Sequence, residues 1–80
     1  MPLSLFNCWV REMTDNIAKR IGSERMALAM TQSELAKLIG TYQPVVSMWE
    51  SGNQEPSLSS AAKLATALGV TIDYLVFGSR

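Results

Sequence analysis

Apolar residues recur every three or four positions along the chain, in short runs that glycines and polar residues separate. The run 32–39 has this helical spacing. Thr31 precedes it as an N-cap, with Glu34 three residues later in the pattern of a capping box, and Gly40 follows as a C′ residue. The pattern therefore predicts a short helix with defined ends.

A second short helix follows almost at once, from Gln43 to Ser51, with Val46 and Trp49 on its inward face. Only residues 40–42 separate the two helices. Two helices joined by a tight, glycine-containing turn form the helix-turn-helix pattern. The outer face of the second helix either reads DNA or is simply solvated.

The flanking segments also follow helical periodicity, and no segment shows the alternation of a strand. The remaining predicted helices are 15–29, Leu58–Leu68 and Ile72 to about Phe77. In helix 15–29, Ile17, Ile21 and Leu28 face inward, and Gly22 indicates a close approach by another helix because glycine is unfavourable in a helix interior. The buried stripe of the fourth helix comprises Leu58, Ala61, Ala62, Ala65 and Leu68.

Residues 1–14 form a short N-terminal extension, and the domain spans residues 15–78. One long helix from about Ser4 to Ala29 is possible, but a break near residues 13–15 is favoured because Thr14 or Asp15 would cap a new helix. The apolar side chains of this arm lie back on the domain or form a subunit contact, since a cluster of exposed apolar groups is costly. A protein partner could bind through residues 3–10.

Composition limits the class of protein. Eighty residues, 48% of them apolar, suit one small globular domain. No apolar run is long enough to span a membrane, and the first twelve residues lack the basic start and cleavage site of a signal peptide. The one cysteine, Cys8, suits a reducing cytoplasm. The absence of histidine excludes a histidine ligand or base, and we expect no metal and no cofactor.

The charge balance bears on a DNA-binding function. Seven basic and seven acidic residues cancel, and the sequence pI is about 6.1. Proteins that bind phosphates are usually basic over their footprint. A neutral chain that binds DNA is therefore expected to need strong base contacts or dimerisation.

The chain resembles the Cro/cI-type helix-turn-helix family, which includes lambda-type phage repressors and many small bacterial regulators. The matching pieces are Thr31-Gln32, Leu35-Ala36, Leu38, Gly40, Gln43, Val46-Ser47, Trp49-Glu50, Gly52, Glu55-Pro56-Ser57-Leu58, Lys63-Leu64-Ala65, Ala67-Leu68-Gly69-Val70 and Asp73-Tyr74-Leu75. The resemblance covers roughly residues 17–78. It implies an all-α, compact five-helix bundle of the lambda-repressor-like type.

The resemblance also implies that helix 43–51 enters the major groove of double-stranded DNA while the preceding helix crosses the backbone. The expected base contacts are Tyr42, Gln43, Pro44, Val45, Ser47 and Met48. Gln43 stands where the family commonly has a base-reading glutamine, which can bond bidentately to adenine. The alternative for each residue is an ordinary solvated helix face.

The expected phosphate contacts are Lys19, Arg20, Thr31, Gln32, Asn53 and Gln54. Gln32 would act at the amino end of its helix, where the dipole and N–H groups favour an anion. Two departures from the family are apparent. Tyr42 replaces the usual Ser or Thr cap, and the loop 53–55 lacks a basic residue, so that side chains and backbone N–H groups of Asn53 and Gln54 would substitute.

Two further residue sets follow from the resemblance. Arg25 is expected to form a structural ion pair with Glu50, whose disruption would cost several kcal/mol if buried; the alternative is that Arg25 contacts DNA. The expected dimer interface comprises Tyr74, Val76 and Phe77.

The favoured function is a sequence-specific transcriptional repressor, phage or bacterial, that binds a palindromic operator as a homodimer. The alternative is an antitoxin-type module that binds a protein and regulates its own promoter. An enzyme is disfavoured, since the sequence has no Ser/His/Asp set, phosphate-binding glycine loop or metal-ligand spacing.

Overall fold

The computed structural model describes residues 16–78, and these residues form five helices and no strand. The helices are α1 (Ile17–Ala27), α2 (Gln32–Ile39), α3 (Gln43–Ser51), α4 (Leu58–Leu68) and α5 (Ile72–Phe77). The predicted bounds of α2 to α5 agree with these ranges. No described helix is long and apolar enough to cross a lipid bilayer.

The first helix is shorter than predicted at both ends. Asn16 has an extended backbone, and its side chain accepts a hydrogen bond from the Lys19 N–H at 3.2 Å, so Asn16 is the N-cap rather than Thr14 or Asp15. A single helix from Ser4 to Ala29 is therefore wrong. At the other end Ala29 has a φ of 56°, the left-handed conformation that non-glycine residues seldom adopt.

The core is formed by one inward face from each helix. The largest fully buried side chains are Ile21, Leu35, Leu64, Leu75 and Val46. Three predicted core residues lie outside the core: Leu28 is 51% exposed, Leu58 is 78% exposed, and Ala62 is half-buried. Leu28 lies beyond the end of α1 and Leu58 is the first residue of α4, where the chain has not yet turned onto the core. Leu64, which was not in the predicted stripe, takes the central position in α4.

Helix α3 packs against both α1 and α2, while α4 packs against α2 and α5. The last helix also contacts α1, so α1 holds α3 on one side and α5 on another. The inner face of α3 thus rests on α1 and α2, and its outer face is left exposed.

Arg20 fastens α5 to α1. It is buried, with 7% of its surface exposed. Its Nε donates to the Leu75 carbonyl at 2.8 Å and its Nη2 donates to the Val76 carbonyl at 2.7 Å. A cation near the carboxyl end of a helix complements both the terminal carbonyls and the dipole. Arg20 therefore has a structural role that its sequence position did not suggest.

Candidate nucleic-acid interface

The turn between α2 and α3 sets the angle of the candidate recognition helix. Gly40 adopts a left-handed conformation with φ of 80°, which a residue with a Cβ adopts only at a cost. The next residue, Thr41, donates its N–H to the Ala36 carbonyl at 2.8 Å, which closes the end of α2. Tyr42 then starts α3 in an extended conformation without a side-chain cap, as expected from its long side chain.

The outer face of α3 carries both polar and apolar side chains, and none of them is charged. Tyr42 is 78% exposed, and Gln43 and Pro44 beside it are also exposed. Met48 is 38% exposed, one turn further along. Val45, another expected base contact, is half-buried and packs against the core.

Gln43 is the first member of a chain of side-chain hydrogen bonds that leads through Gln32 to Glu50. Its Nε2 donates to Gln32 Oε1 at 2.8 Å. Gln32 in turn donates from Nε2 to Glu50 Oε1 at 3.1 Å. The amide of Gln43 therefore has a fixed side-chain partner on α2 while it stays exposed on α3.

Arg25 and Glu50 form a bidentate ion pair. Arg25 Nε lies 2.7 Å from Glu50 Oε2, and Arg25 Nη2 donates to Glu50 Oε1 at 3.0 Å. Arg25 Nη1 also donates to the Met30 carbonyl at 2.7 Å. Both side chains are largely covered, and the hydrogen bonds to Glu50 raise the pKa of Arg25 above its ordinary value. The guanidinium of Arg25 is thus used inside the fold.

Gly22 gives the Glu50 carboxylate the room it needs. A Cβ on Gly22 would lie 3.2 Å from Glu50 Oε1, closer than an ordinary van der Waals contact. The close approach predicted for Gly22 is therefore present. Its contact atom is the same oxygen that accepts hydrogen bonds from Arg25 and Gln32.

The start of α2 carries a complete capping box. Glu34 N–H donates to Thr31 Oγ1 at 3.0 Å, and the Thr31 N–H donates to Glu34 Oε1 at 2.8 Å. The backbone hydrogen bond from Thr31, followed by that involving its side chain, lowers the pKa of Glu34. A phosphate contact by Thr31 would have to use its hydroxyl hydrogen, because the Thr31 N–H is already donated within the cap.

The loop after α3 folds back onto the helix. The backbone N–H groups of Asn53 and Gln54 donate to the Met48 carbonyl at 3.1 and 3.3 Å. The expectation that these N–H groups serve as phosphate donors is therefore wrong, since closing the helix end uses them. Only the two exposed side chains are left as candidates in this loop.

The two basic residues expected to contact DNA phosphates, Lys19 and Arg20, differ in their surroundings. Lys19 is exposed on α1. Arg20 is buried at the end of α5, and its bonds to Leu75 and Val76 contradict the expected phosphate contact. Lys19 therefore remains a candidate phosphate contact, and Arg20 does not belong to the candidate interface.

The three residues expected at the dimer interface differ in how accessible they are. Phe77 is 74% exposed and Val76 is half-buried, so both present apolar surface. Tyr74 instead turns towards α1, where its hydroxyl donates to Glu24 Oε2 at 3.2 Å. Sequence reasoning missed Leu58, which is exposed and lines a groove with Val76. Residues 3–10, the expected site of a protein partner, lie outside the described residues.

Residues 18–75 match the family model described as helix-turn-helix. The chain belongs to this helix-turn-helix family. The matched residues include all of α2, α3 and α4, so the family covers the whole candidate interface. Among residues 16–78 there is no cluster of His, Cys, Asp or Glu that could hold a metal ion.

Two curated relatives are repressors. The chain is 32% identical over 65 residues to repressor protein C2 of Salmonella phage P22, which covers 81% of this chain and 30% of the relative. It is 34% identical over 59 residues to the CTXphi transcriptional repressor RstR of Vibrio cholerae, which covers 74% of this chain and 53% of the relative. The chain thus spans about a third to a half of the length of these relatives.

Solved structures give the same fold. The P22 c2 repressor in complex with a synthetic operator has a TM-score of 0.77 at 31% identity, covering 80% of this chain and 97% of that one. The biofilm regulator SinR in complex with DNA has a TM-score of 0.70 at 30% identity, covering 74% and 95%. The five-helix bundle is therefore the repressor-like fold that the sequence predicted.

Proposed function

We propose that this chain is a DNA-binding transcriptional regulator whose helix α3 enters the major groove. The observation that carries the proposal is the exposed amide of Gln43. It lies on the uncharged outer face of α3 and donates a hydrogen bond to Gln32 on α2. A glutamine at the start of a recognition helix is suited to bidentate recognition of adenine. The similarity to operator-binding and DNA-bound structures supports the same conclusion.

Within this function, we assign sequence reading to the outer face of α3 and positioning to its surroundings. Tyr42, Pro44, Ser47 and Met48 supply the remaining surface towards the bases, with apolar atoms suited to thymine methyl groups. Lys19, Gln32 and the side chains of Asn53 and Gln54 lie towards the phosphates.

The proposed regulator acts as a homodimer on a palindromic site. A neutral chain that reads bases through one glutamine per subunit is expected to bind DNA weakly on its own. Two linked subunits that bind at the same time raise the overall affinity. The half-sites would lie about one DNA turn, ~34 Å, apart. Phe77, which is exposed in the last helix, forms the apolar part of the subunit contact.

The test is selection of bound sequences from random DNA, followed by anisotropy titrations with the selected site. Gln43→Ala is expected to lower affinity by about 1–3 kcal/mol and to relax preference at one base position in each half-site. Ser51→Ala, on an exposed position at the end of α3, serves as the matched control. Equal loss on all sequences would make Gln43 a phosphate contact, and no selected site at low salt would refute the function.

A further inference from the structure

A groove opens where α1 begins, beside the first turn of α4 and the end of α5. Its apolar walls come from Ile17, Pro56, Leu58 and Val76, and Glu55 lies at its rim. The groove has a volume of about 430 Å³. Leu58 exposes 78% of its surface there, although it is a large apolar residue at the start of a helix. An apolar wall with an exposed leucine is the kind of surface that proteins cover with a partner or with another part of the chain.

The chain enters the described fold at the wall of this groove. Asn16, the residue that follows the N-terminal arm, is itself one of the lining residues. The arm carries Leu3, Leu5, Phe6, Trp9 and Val10, a density of large apolar side chains unlike that of the exposed surface. Val10 is six residues from Asn16, and an extended chain covers about 3.3–3.6 Å per residue, so the whole groove is within reach.

We propose that residues 3–10 bind in this groove of the same chain and cover Leu58. A tethered segment acts at an effective concentration in the millimolar range, which a separate molecule does not reach. A second copy is the weaker occupant, because the groove walls comprise seven residues and a stable interface needs roughly 20–30 residues a side.

The charges at the rim agree with this occupant. Glu55 is exposed at the edge of the groove, and Arg11 is the basic residue that follows the arm in the sequence. An exposed pair of this kind contributes little energy and instead favours one orientation of the segment. The inference stands apart from DNA binding, since none of these residues belongs to the outer face of α3.

The sole cysteine gives a direct test on the full chain. A nitroxide spin label on Cys8 is expected to broaden the amide resonances of Ile17, Ala61 and Val76 in the isotope-labelled protein. The control is the groove between α2 and α4, which is also apolar, is larger at about 580 Å³, and is lined by Leu38, Ile39 and Thr66. Equal broadening at both grooves overturns the proposal.

Matched variants separate specific binding from general adhesion. Leu58→Ser is expected to abolish the broadening, and Leu38→Ser is expected to leave it unchanged. Leu38 exposes 64% of its surface, so neither replacement removes a core residue. Broadening that survives Leu58→Ser contradicts the assigned groove.

A mixed sample distinguishes the same chain from a second copy. Spin-labelled protein without isotope is combined with isotope-labelled protein without spin label. Binding within one chain gives no broadening in the mixture, whereas broadening there assigns the groove to another copy. A second probe, Ser4→Cys in a Cys8→Ser chain, repeats the test in case the label at Cys8 itself prevents binding; failure with both probes refutes the proposal.

Discussion

At the scale of single residues, Glu50 is the point where three helices meet. Its carboxylate on α3 accepts hydrogen bonds from Arg25 on α1 and Gln32 on α2. Gln32 then holds Gln43, the proposed base reader. A charge-assisted pair with additional hydrogen bonds is the arrangement in which a covered carboxylate is stable. The position of the reader therefore depends on residues that lie behind it.

Gly22 tests how rigid this carboxylate is. Gly22→Ala would gain about 1 kcal/mol of unfolding free energy from helix propensity alone. We expect a clearly smaller gain, or a loss, because the new Cβ lies 3.2 Å from Glu50 Oε1. In a background with Arg25→Met and Glu50→Ala, which removes both charges together, the full gain should return.

Urea denaturation of the four chains measures this difference. Ser23→Ala is the control, because Ser23 is the exposed neighbour on α1 and should give the same increment in both backgrounds. If Gly22→Ala gives equal increments with and without Glu50, the contact has no energetic consequence.

At the scale of elements, helix ends were the most predictable features. Thr31 with Glu34, and Gly40 after α2, mark their boundaries by side-chain chemistry that a sequence displays directly. The start of α1 was ambiguous because Thr14, Asp15 and Asn16 are all competent caps in succession.

The capping box of α2 predicts a dependence on acid. The hydrogen bonds to Thr31 lower the pKa of Glu34 from its ordinary value of 4.5, so the folded state favours the carboxylate. Its stabilisation is present above pH 4.5 and is lost as the pH falls through the lowered pKa of the folded protein.

We therefore expect the stability advantage of wild type over Glu34→Gln to shrink on acidification. Glutamine preserves the shape of the box without a titratable charge, which makes it the matched control. The measurement is the urea midpoint of both chains at neutral pH and near pH ~3. A constant difference between the two would contradict the role of the carboxylate.

Arg20 shows what a sequence does not display. Its hydrogen bonds to α5 join residues 55 and 56 positions apart, and periodicity carries no information on such contacts. Sequence reasoning accordingly treated it as a surface cation. The same limit explains why the exposure of Leu58 and the contact of Tyr74 with Glu24 were not predicted. Both depend on how α4 and α5 pack against α1.

Replacing Arg20 should destabilise the fold rather than weaken DNA binding directly. We expect Arg20→Met to lower the free energy of unfolding by about 3 kcal/mol, since two carbonyls lose a charged donor. Lys19→Met, at the exposed neighbouring position, should change it by less than about 0.5 kcal/mol. Thermal and urea unfolding measure both. Wild-type stability of Arg20→Met, with uniformly weaker DNA binding, would restore the phosphate role.

At the scale of the whole molecule, neutrality and recognition fit together. The outer face of α3 has no charge, and the buried or paired arginines Arg20 and Arg25 are withdrawn from solvent. For the proposed function we therefore expect weak electrostatic attraction to DNA, with base contacts supplying much of the affinity. The fold was predictable because the helix caps, the apolar stripes and the turn residues all indicate the same helices. The candidate interface depends instead on contacts between helices, which the sequence does not display.

This balance predicts a shallow salt dependence of DNA binding. If Lys19 is the cation that each subunit places on a phosphate, a dimer should give a slope of log K against log salt of about −2. Lys19→Ala should weaken binding to all sequences alike and flatten that slope towards zero. Lys63→Ala, on exposed α4, is the control. A steep slope that survives Lys19→Ala would reveal basic contacts elsewhere.

The junction at Glu50 has a consequence for genetics. A screen for loss of regulation in the cell would recover substitutions at positions 22, 25, 32 and 50 alongside those at 43, although Gly22 and Arg25 face the interior. Such alleles would form one phenotypic group with the reader itself. Suppressors of a position-50 allele should then arise within this group, and changes of operator preference should arise only among outward positions of α3.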